Sequence, residues 1–250
     1  MLLLLPPSET KRPGGAGGPL DVAALALRSL AAPREEAIAA LVALAERPDD
    51  MAKALKLSER QRGEIAVNAA VRTSPTTPAI DRFTGVLFDA FDAGSADDQA
   101  RAWLGEHALI QTALLGPVGA LDPIPAFRLS ASGRLPGIAP LARHWAAASS
   151  EALAGLAGPV VDLRSEAYRA LAPVPHGLEQ AYVRVVAETP DGAVRALNHF
   201  NKKTKGRFSR ALADGRPQIA QVADLVDWAR SAGFEMRPAD DGELQLVASE

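Results

Sequence analysis

A mixed α/β fold, with a mixed central sheet flanked by helices, is predicted by three features of the chain. Two short apolar runs, Leu2-Leu3-Leu4-Leu5 and Val160-Val161-Asp162-Leu163, have the length and composition of buried strands, and each leads into polar residues. Helical periodicity dominates the first half. The second half carries two turn signals, Thr189-Pro190-Asp191-Gly192 and Asp240-Asp241-Gly242, each between segments suited to the arms of a β-hairpin. A helix-rich N-terminal half and β-hairpins in the C-terminal half read as one domain over residues 1–250.

Pro6 and Pro7 end the first strand, and a loop rich in Pro and Gly runs to residue 19. From residue 20 to about 70 the pattern is helical: Leu20, Leu27 and Leu30 share one face, and Ile38, Leu41 and Leu44 another. Pro33 suits a first helical turn, with Glu35 and Glu36 near the positive helix start. Ser58-Glu59 caps a helix reaching about Val71. Thr77-Pro78 opens another, carrying Ile80, Phe83, Leu87 and Phe91, and residues 96 to about 115 form the next. Residues 116–140, punctuated by Pro and Gly, read as a long structured loop, followed by a helix over 141–156. Residues 180–188 and 193–200 are the arms of the first hairpin, 224–232 a helix, and 234–237 with 243–247 the arms of the second.

Composition narrows the function. Apolar residues make up 48% and charged residues 23%, as in ordinary globular domains. The net charge of -3 means that any anion-binding surface must be a local patch. The absence of cysteine excludes disulfides, thiolate catalysis and Cys-ligated metal centres. Four leucines are too short for a signal peptide or a membrane span, and no later apolar run is long enough, so a cytoplasmic protein with no membrane partner is expected. The sequence has no phosphate-binding Gly-Lys-Ser/Thr loop, no dinucleotide glycine pattern and no His-Glu-x-x-His. His107, His144, His176 and His199 are dispersed, so neither a metal site nor a cofactor is called for.

Five segments could carry chemistry. The loop Pro6-Pro7-Ser8-Glu9-Thr10-Lys11 crowds a hydroxyl, a carboxylate and an ammonium just past a strand end, where open α/β sheets bind ligands; otherwise it is a polar turn. Asp122 and Arg128, in a stretch stiffened by Pro123 and Pro125, could pair across their loop or form a structural salt bridge. Ser165-Glu166 also follows a strand, as a site element or a helix cap. The stretch from His199 to Arg210 holds Lys202, Lys203, Lys205, Arg207 and Arg210 with no acid, a local positive patch of the kind that binds phosphates, unless it is simply solvated. Lys53, Lys56, Ser58, Arg60, Arg62 and Gly63 lie in a helix-turn-helix stretch around residues 55–65 whose backbone N–H groups could face a phosphate, or which could be an amphipathic helix pair.

Lysine usage points the same way. Only six of the 27 basic residues are lysine: Lys11, Lys53, Lys56, Lys202, Lys203 and Lys205. Lys11, Lys202, Lys203 and Lys205 fall in these segments, and Lys53 and Lys56 just before the Ser58 cap. A compact, titratable amine is a role that arginine fills poorly.

Taken in order, the motifs resemble the YaaA peroxide stress family. The resemblance rests on the loop Pro6 to Lys11, on Leu57-Ser58-Glu59, Phe83-Thr84-Gly85-Val86-Leu87-Phe88, Leu121-Asp122-Pro123-Ile124-Pro125-Ala126-Phe127-Arg128-Leu129, Asp162-Leu163-Arg164-Ser165-Glu166-Ala167-Tyr168 and Asn201-Lys202-Lys203-Thr204-Lys205-Gly206-Arg207. It implies one α/β domain with a basic cleft, binding of double-stranded DNA through a helix-hairpin-helix-like element, and protection from hydrogen peroxide by limiting iron-driven damage. That element falls here around residues 55–65. The chain departs from the family pattern at Phe83, Phe88 and Phe127, where tyrosines are usual, and at Thr112-Ala113-Leu114-Leu115-Gly116, where Ser-Gly-Leu-Tyr-Gly is frequent.

Two readings follow. In the first, the chain is a DNA-binding protein of the peroxide stress response. In the second, it is an enzyme on a nucleotide or other anionic small molecule, held where Ser8, Glu9, Lys11, Asp122, Arg128, Ser165, Glu166, Lys202 and Lys203 converge. An open basic groove of duplex width favours the first; a buried cleft of mixed charge favours the second. Both expect the loops 6–11, 122–128, 165–166 and 202–210 to line one cleft.

Overall fold

The computed structural model describes all residues except 189–193, 197–198, 240–241 and 249–250. The first half of the chain holds β1 (Leu2–Leu5), α1 (Ala31–Ala45), α2 (Pro48–Ala54), α3 (Glu64–Ala69), β2 (Thr77–Pro78), α4 (Ala79–Arg82), α5 (Val86–Phe91), α6 (Asp98–His107), β3 (Ala108–Gln111), β4 (Pro117–Gly119) and β5 (Pro123–Ile124). The second holds α7 (Leu141–Ala154), β6 (Val160–Asp162), α8 (Glu166–Arg169), β7 (Gln180–Glu188), β8 (Val194–Ala196), α9 (His199–Gly215), α10 (Val222–Ser231), β9 (Met236–Pro238) and β10 (Glu243–Val247). Among the described residues, no helix is long and apolar enough to cross a membrane.

Eight strands form a mixed sheet in the order β4-β3-β1-β6-β7-β10-β9, with β8 also on β7. The central pairs β3-β1, β1-β6, β6-β7 and β7-β10 are parallel, whereas β4 and β9 close the edges antiparallel. Strand β8 pairs with Val186–Glu188, beyond the Gln180–Tyr182 stretch that pairs with β6. Strands β2 and β5 form a separate antiparallel pair.

The four leucines of β1 follow from this position. Successive strand residues point to opposite faces. Leu3 and Leu5 enter the main core with Ile38, Phe83 and Trp103, while Leu2 and Leu4 pack with Leu109, Leu153, Val160 and Ala172 on the other side. A parallel strand covered on both faces is apolar at every position.

The structure corrects several boundaries. The helix predicted to run from 96 to 115 ends at His107, and the chain continues as β3, because the residues after it are buried on every side. The loop predicted over 116–140 contains β4 and β5. The long helical region breaks into α1, α2, α3 and short 3-10 turns, with Leu27 and Lys56 in the left-handed region at two of the breaks. Thr77-Pro78 is a strand rather than a helix start, and Gly85, at φ 97°, separates α4 from α5. The second arm of the first hairpin ends at Ala196, and α9 begins at His199; its turn, Thr189 to Gly192, lies outside the described residues.

Helix α9 explains that last correction. Thr204, Lys205, Phe208, Ser209, Leu212 and Ala213 are buried, one continuous face at helical spacing. The cation-rich stretch is therefore a helix packed on the sheet, not a surface loop.

Candidate functional site

Strand β1 connects onward to β3 on one side, and β6 connects to β7 on the other. The carboxyl ends of β1 and β6 thus form the switch point of the sheet, where diverging connections leave a crevice. A cleft of about 780 Å³ opens there. One wall is residues 6–10 after β1, and another is Leu163 with residues 165–168 after β6. Residues 84–88 at the start of α5, Tyr182 of β7, and Asn201, Lys202 and Lys205 of α9 complete it.

Hydroxyls cluster on the β1 side. Ser8 Oγ lies 3.2 Å from Thr10 Oγ1, and Thr84 Oγ1 donates to Thr10 Oγ1 at 3.0 Å. A Cβ at Gly85 would stand 3.3 Å from Ser8 Oγ and 3.5 Å from Thr10 Oγ1, and the positive φ there already disfavours a side chain. Glu9 faces the cleft but is held from behind by Arg128, Nη2 to Oε2 2.5 Å.

The opposite side carries the cations. Lys205 is 5% exposed, and its Nζ donates to the Leu163 carbonyl at 2.9 Å. Burial brings its pKa down to about 8, against a smaller upward pull from Asp162. Lys202, one helical turn away, is exposed. Tyr182 lies between the Arg169 and Arg184 guanidiniums, 4.1 and 5.5 Å from its ring centre, and burial raises its pKa. Burial likewise pushes the Tyr168 phenol up to about 12. Behind the floor, Asp162 accepts two bonds from Arg164 and lies 3.4 Å from Arg169.

Lys11 sits beside the cleft, not in it. Its Nζ donates to the Ser8 carbonyl at 3.2 Å and lies 4.3 Å from the Phe127 ring centre and 5.1 Å from that of Phe83. Burial, reinforced by the nearby Arg128, lowers its pKa to about 7. It fixes the carbonyl of the loop that carries Ser8.

The expected four-loop cleft is therefore only partly assembled. Ser8, Glu9, Ser165, Glu166, Lys202 and Lys205 meet. Asp122 does not pair with Arg128. It accepts backbone bonds from Ala26 at 2.8 Å and Gly119 at 2.7 Å, pinning a loop, while Arg128 binds Glu9. The helical repeat splits the basic stretch over different faces. Lys203 and Arg207 are exposed outside the cleft lining, and Arg210 is spent on Asp214, the carbonyls of Phe91 and Asp92, and Ser95. The Ser165 side chain makes no cap bond to α8.

Around residues 55–65, α2 and α3 are joined through a 3-10 turn over Glu59–Gln61, capped reciprocally by Ser58 and Gln61. Arg62 is tied to Asp49 and Glu59, and Gly63 has ordinary helical φ. Lys53, Lys56 and Arg60 are exposed. Among the described residues, no three His, Cys, Asp or Glu side chains are grouped to hold a metal.

Sequence reasoning singled out neither Thr10 and Thr84 as partners nor Tyr168, Tyr182 and Asn201 as lining. Tyr168 and Asn201 are end residues of quoted motifs, but Tyr182 reaches the site only through the β6-β7 pairing, opposite Asp162.

Fold and site define an α/β protein with a polar, mixed-charge cleft at the switch point of its sheet. Comparison with known proteins gives the family. The profile described as "Peroxide stress protein YaaA" matches residues 1–240, and the chain belongs to that family. It is 41% identical over 238 residues to the UPF0246 protein CE1889 of Corynebacterium efficiens, covering 94% of each chain. It is 40% identical over 253 residues to a UPF0246 protein of Corynebacterium glutamicum, covering 99% of this chain and 100% of that one. The UPF0246 protein SCO2297 of Streptomyces coelicolor is 39% identical over 248 residues, covering 97% and 95%.

Proposed function

We propose that the chain serves the peroxide stress response by binding a nucleotide or other phosphorylated, anionic small molecule in the switch-point cleft. The observation that carries this reading is the convergence of five sequence-distant segments on one cleft, with hydroxyls on one wall and Lys202 and Lys205 on the other. Hydroxyls, an exposed ammonium and a buried amine suit a phosphate ester. The carboxylates Glu9 and Glu166 in the same lining disfavour a continuous polyanion but suit recognition of sugar or base hydroxyls. Native mass spectrometry of the purified protein, followed by calorimetry with glycerol 3-phosphate, nucleoside monophosphates and inorganic phosphate, tests it. Binding that Lys202→Ala and Thr84→Val weaken supports the reading, and no binding by any of these anions overturns it.

The duplex DNA reading has its own support in Lys53, Lys56 and Arg60, three exposed cations with no acidic partner within ion-pair distance among the described residues. Such a patch neutralises backbone phosphates without reading sequence. Salt-dependent binding that survives Lys202→Ala but not their removal would place DNA there.

A further inference from the structure

Lys205 is more than a phosphate contact in this arrangement. Its amine is buried at the floor of the switch-point cleft, and its only polar partner among the described contacts is one neutral carbonyl, that of Leu163. Among the described residues no carboxylate lies within ion-pair distance. Asp162, the acid whose charge acts on it, is already occupied by two bonds from the Arg164 guanidinium and by Arg169. Lys202, Lys203, Lys53 and Lys56 are all exposed. Burial without a counter-ion destabilises the ammonium and brings the free lone pair closer to neutral pH than in an exposed lysine. The Leu163 bond uses one N–H and holds the nitrogen in place. Nearby, the Tyr182 ring centre is 5.9 Å from Nζ.

We propose that Lys205 is a nucleophilic amine, and that the cleft takes an anionic carbonyl compound, an aldehyde or ketone carrying a phosphate, which it captures as an imine. This rests on the anion-binding reading of the same cleft and names its ligand class. The Lys205 nitrogen lone pair attacks the carbonyl carbon, and a proton passes from nitrogen to oxygen to give the carbinolamine. Nitrogen then expels the hydroxyl as water, so that one amine and one carbonyl yield one imine and one water. No oxidant or reductant is required. The phosphate end is left for Lys202 and the hydroxyls of Ser8, Thr10 and Thr84, and the burial-raised pKa values of Tyr168 and Tyr182 keep two proton donors in the lining.

The test uses the full chain with glyceraldehyde 3-phosphate and sodium cyanoborohydride, and glycerol 3-phosphate as the matched probe without a carbonyl. Intact mass and peptide mapping should find one reduced adduct per chain, on Lys205. Glycerol 3-phosphate should compete with its formation. Lys205→Met, which keeps the chain length and apolar stem, should lose the adduct while retaining the far-UV signal of the fold. Mapping on the unmodified protein needs no variant, so a misfolded Lys205→Met would leave the answer intact. Adducts spread over the exposed lysines, or unchanged labelling in a folded Lys205→Met, overturn the proposal. Calorimetric binding of glycerol 3-phosphate without any Lys205 adduct overturns imine capture and leaves anion binding standing, and failure of both probes removes both.

Discussion

Arg164 grips Asp162 through two parallel bonds, Nε to Oδ1 at 2.8 Å and Nη2 to Oδ2 at 2.7 Å, with both side chains 1% exposed. The same guanidinium donates to the Ala172 carbonyl at 2.8 Å and to Gln111 Oε1 at 3.3 Å. The pair therefore binds the end of β6 to β3 and to the turn after α8, directly beneath the cleft. Breaking one partner strands a buried charge, which costs far more than the intact pair contributes. Asp162→Ala and Arg164→Ala should each lower the unfolding free energy by about 3–5 kcal/mol in urea titrations. A loss below about 1 kcal/mol would mean that water reaches the orphaned charge.

Gly206 is where α9 and α5 meet. A Cβ there would stand 2.2 Å from the Leu87 carbonyl oxygen and 2.9 Å from Ala90 Cβ, so one helix must move. Both helices line the cleft, α5 through Leu87 and α9 through Lys202 and Lys205. Gly206→Ala should cost about 1–3 kcal/mol of stability, as overpacking does. It should also weaken glycerol 3-phosphate binding, a coupling that an exposed site such as Gly137→Ala would not show.

Lys11 should make stability pH-dependent. Its folded pKa is about 7 against 10.5 for the unfolded chain, so between those values the unfolded state binds more protons. Unfolding free energy therefore rises with pH through this window, and the burial penalty on the ammonium is felt in full below about pH 7. The Phe83 and Phe127 rings offset part of that penalty by cation–π attraction. Lys11→Met should gain on the unmodified protein most at the acid end of the window, with the difference shrinking toward pH 10.5. A difference constant across the window would show that the ammonium is solvated.

How legible these features were in the sequence depends on distance along the chain. Leu2–Leu5 announces itself as a buried strand because burial on two faces leaves no polar position, and the run after Pro159 does so through Val160, Val161 and Leu163 around the single acid Asp162. Ala108–Gln111 carries the same signal but follows a capped helix without a breaker, so local periodicity merges the two. Strand-end loops identify Ser8, Glu9, Ser165 and Glu166 because ligand crevices form there whatever the detailed topology. The fate of the cations could not be read locally. Arg210 and Lys205 differ only in where α9 rotates them, one toward the end of α5 and the other toward β6. Asp122 was misassigned because its partners, Ala26 and Gly119, are backbone groups that leave no mark in composition.

The two cationic surfaces should separate by salt dependence. Lys53, Lys56 and Arg60 are exposed on one segment, and Lys203 and Arg207 on the outer face of α9. If duplex DNA lies on the first, replacing all three by alanine should reduce the slope of log affinity against log salt by about 2–3, near 0.9 per lost contact. The pair Lys203→Ala with Arg207→Ala should then leave the slope unchanged. The reverse pattern in a filter-binding or anisotropy salt series moves the duplex to α9, and no slope in the unmodified protein removes it from both.

The pH dependence of ligand binding distinguishes the two roles open to Lys205. The groups around it are Asp162 on β6, Tyr182 and Arg184 on β7, Glu166 and Tyr168 on α8, Glu9 after β1 and Lys202 on α9, while α5 contributes only Val86, Leu87 and Phe88 from its helical residues. Asp162 is held by Arg164, and the burial-raised pKa of Tyr182 keeps it a phenol through the relevant range. A phosphate monoester is half-way through its second ionisation near about pH 6, so from about pH 7 upward it is mainly the dianion. Lys205, with a pKa of about 8, is then the group whose change is felt. A dianion bound against it favours the ammonium and raises its pKa in the complex. Glycerol 3-phosphate affinity should therefore be steady between about pH 7 and 8 and fall above it, by at most about tenfold per pH unit. Proton uptake on binding should grow over the same range, measurable by calorimetry in buffers of different ionisation enthalpy. Imine capture needs the free amine, so the initial rate of adduct formation with glyceraldehyde 3-phosphate, measured well below saturation, should rise with pH through about 8 and then level off. Opposite slopes for the two probes, both abolished by Lys205→Met, are expected of one amine that either pairs with an anion or attacks a carbonyl. Parallel slopes would assign the titration to another group.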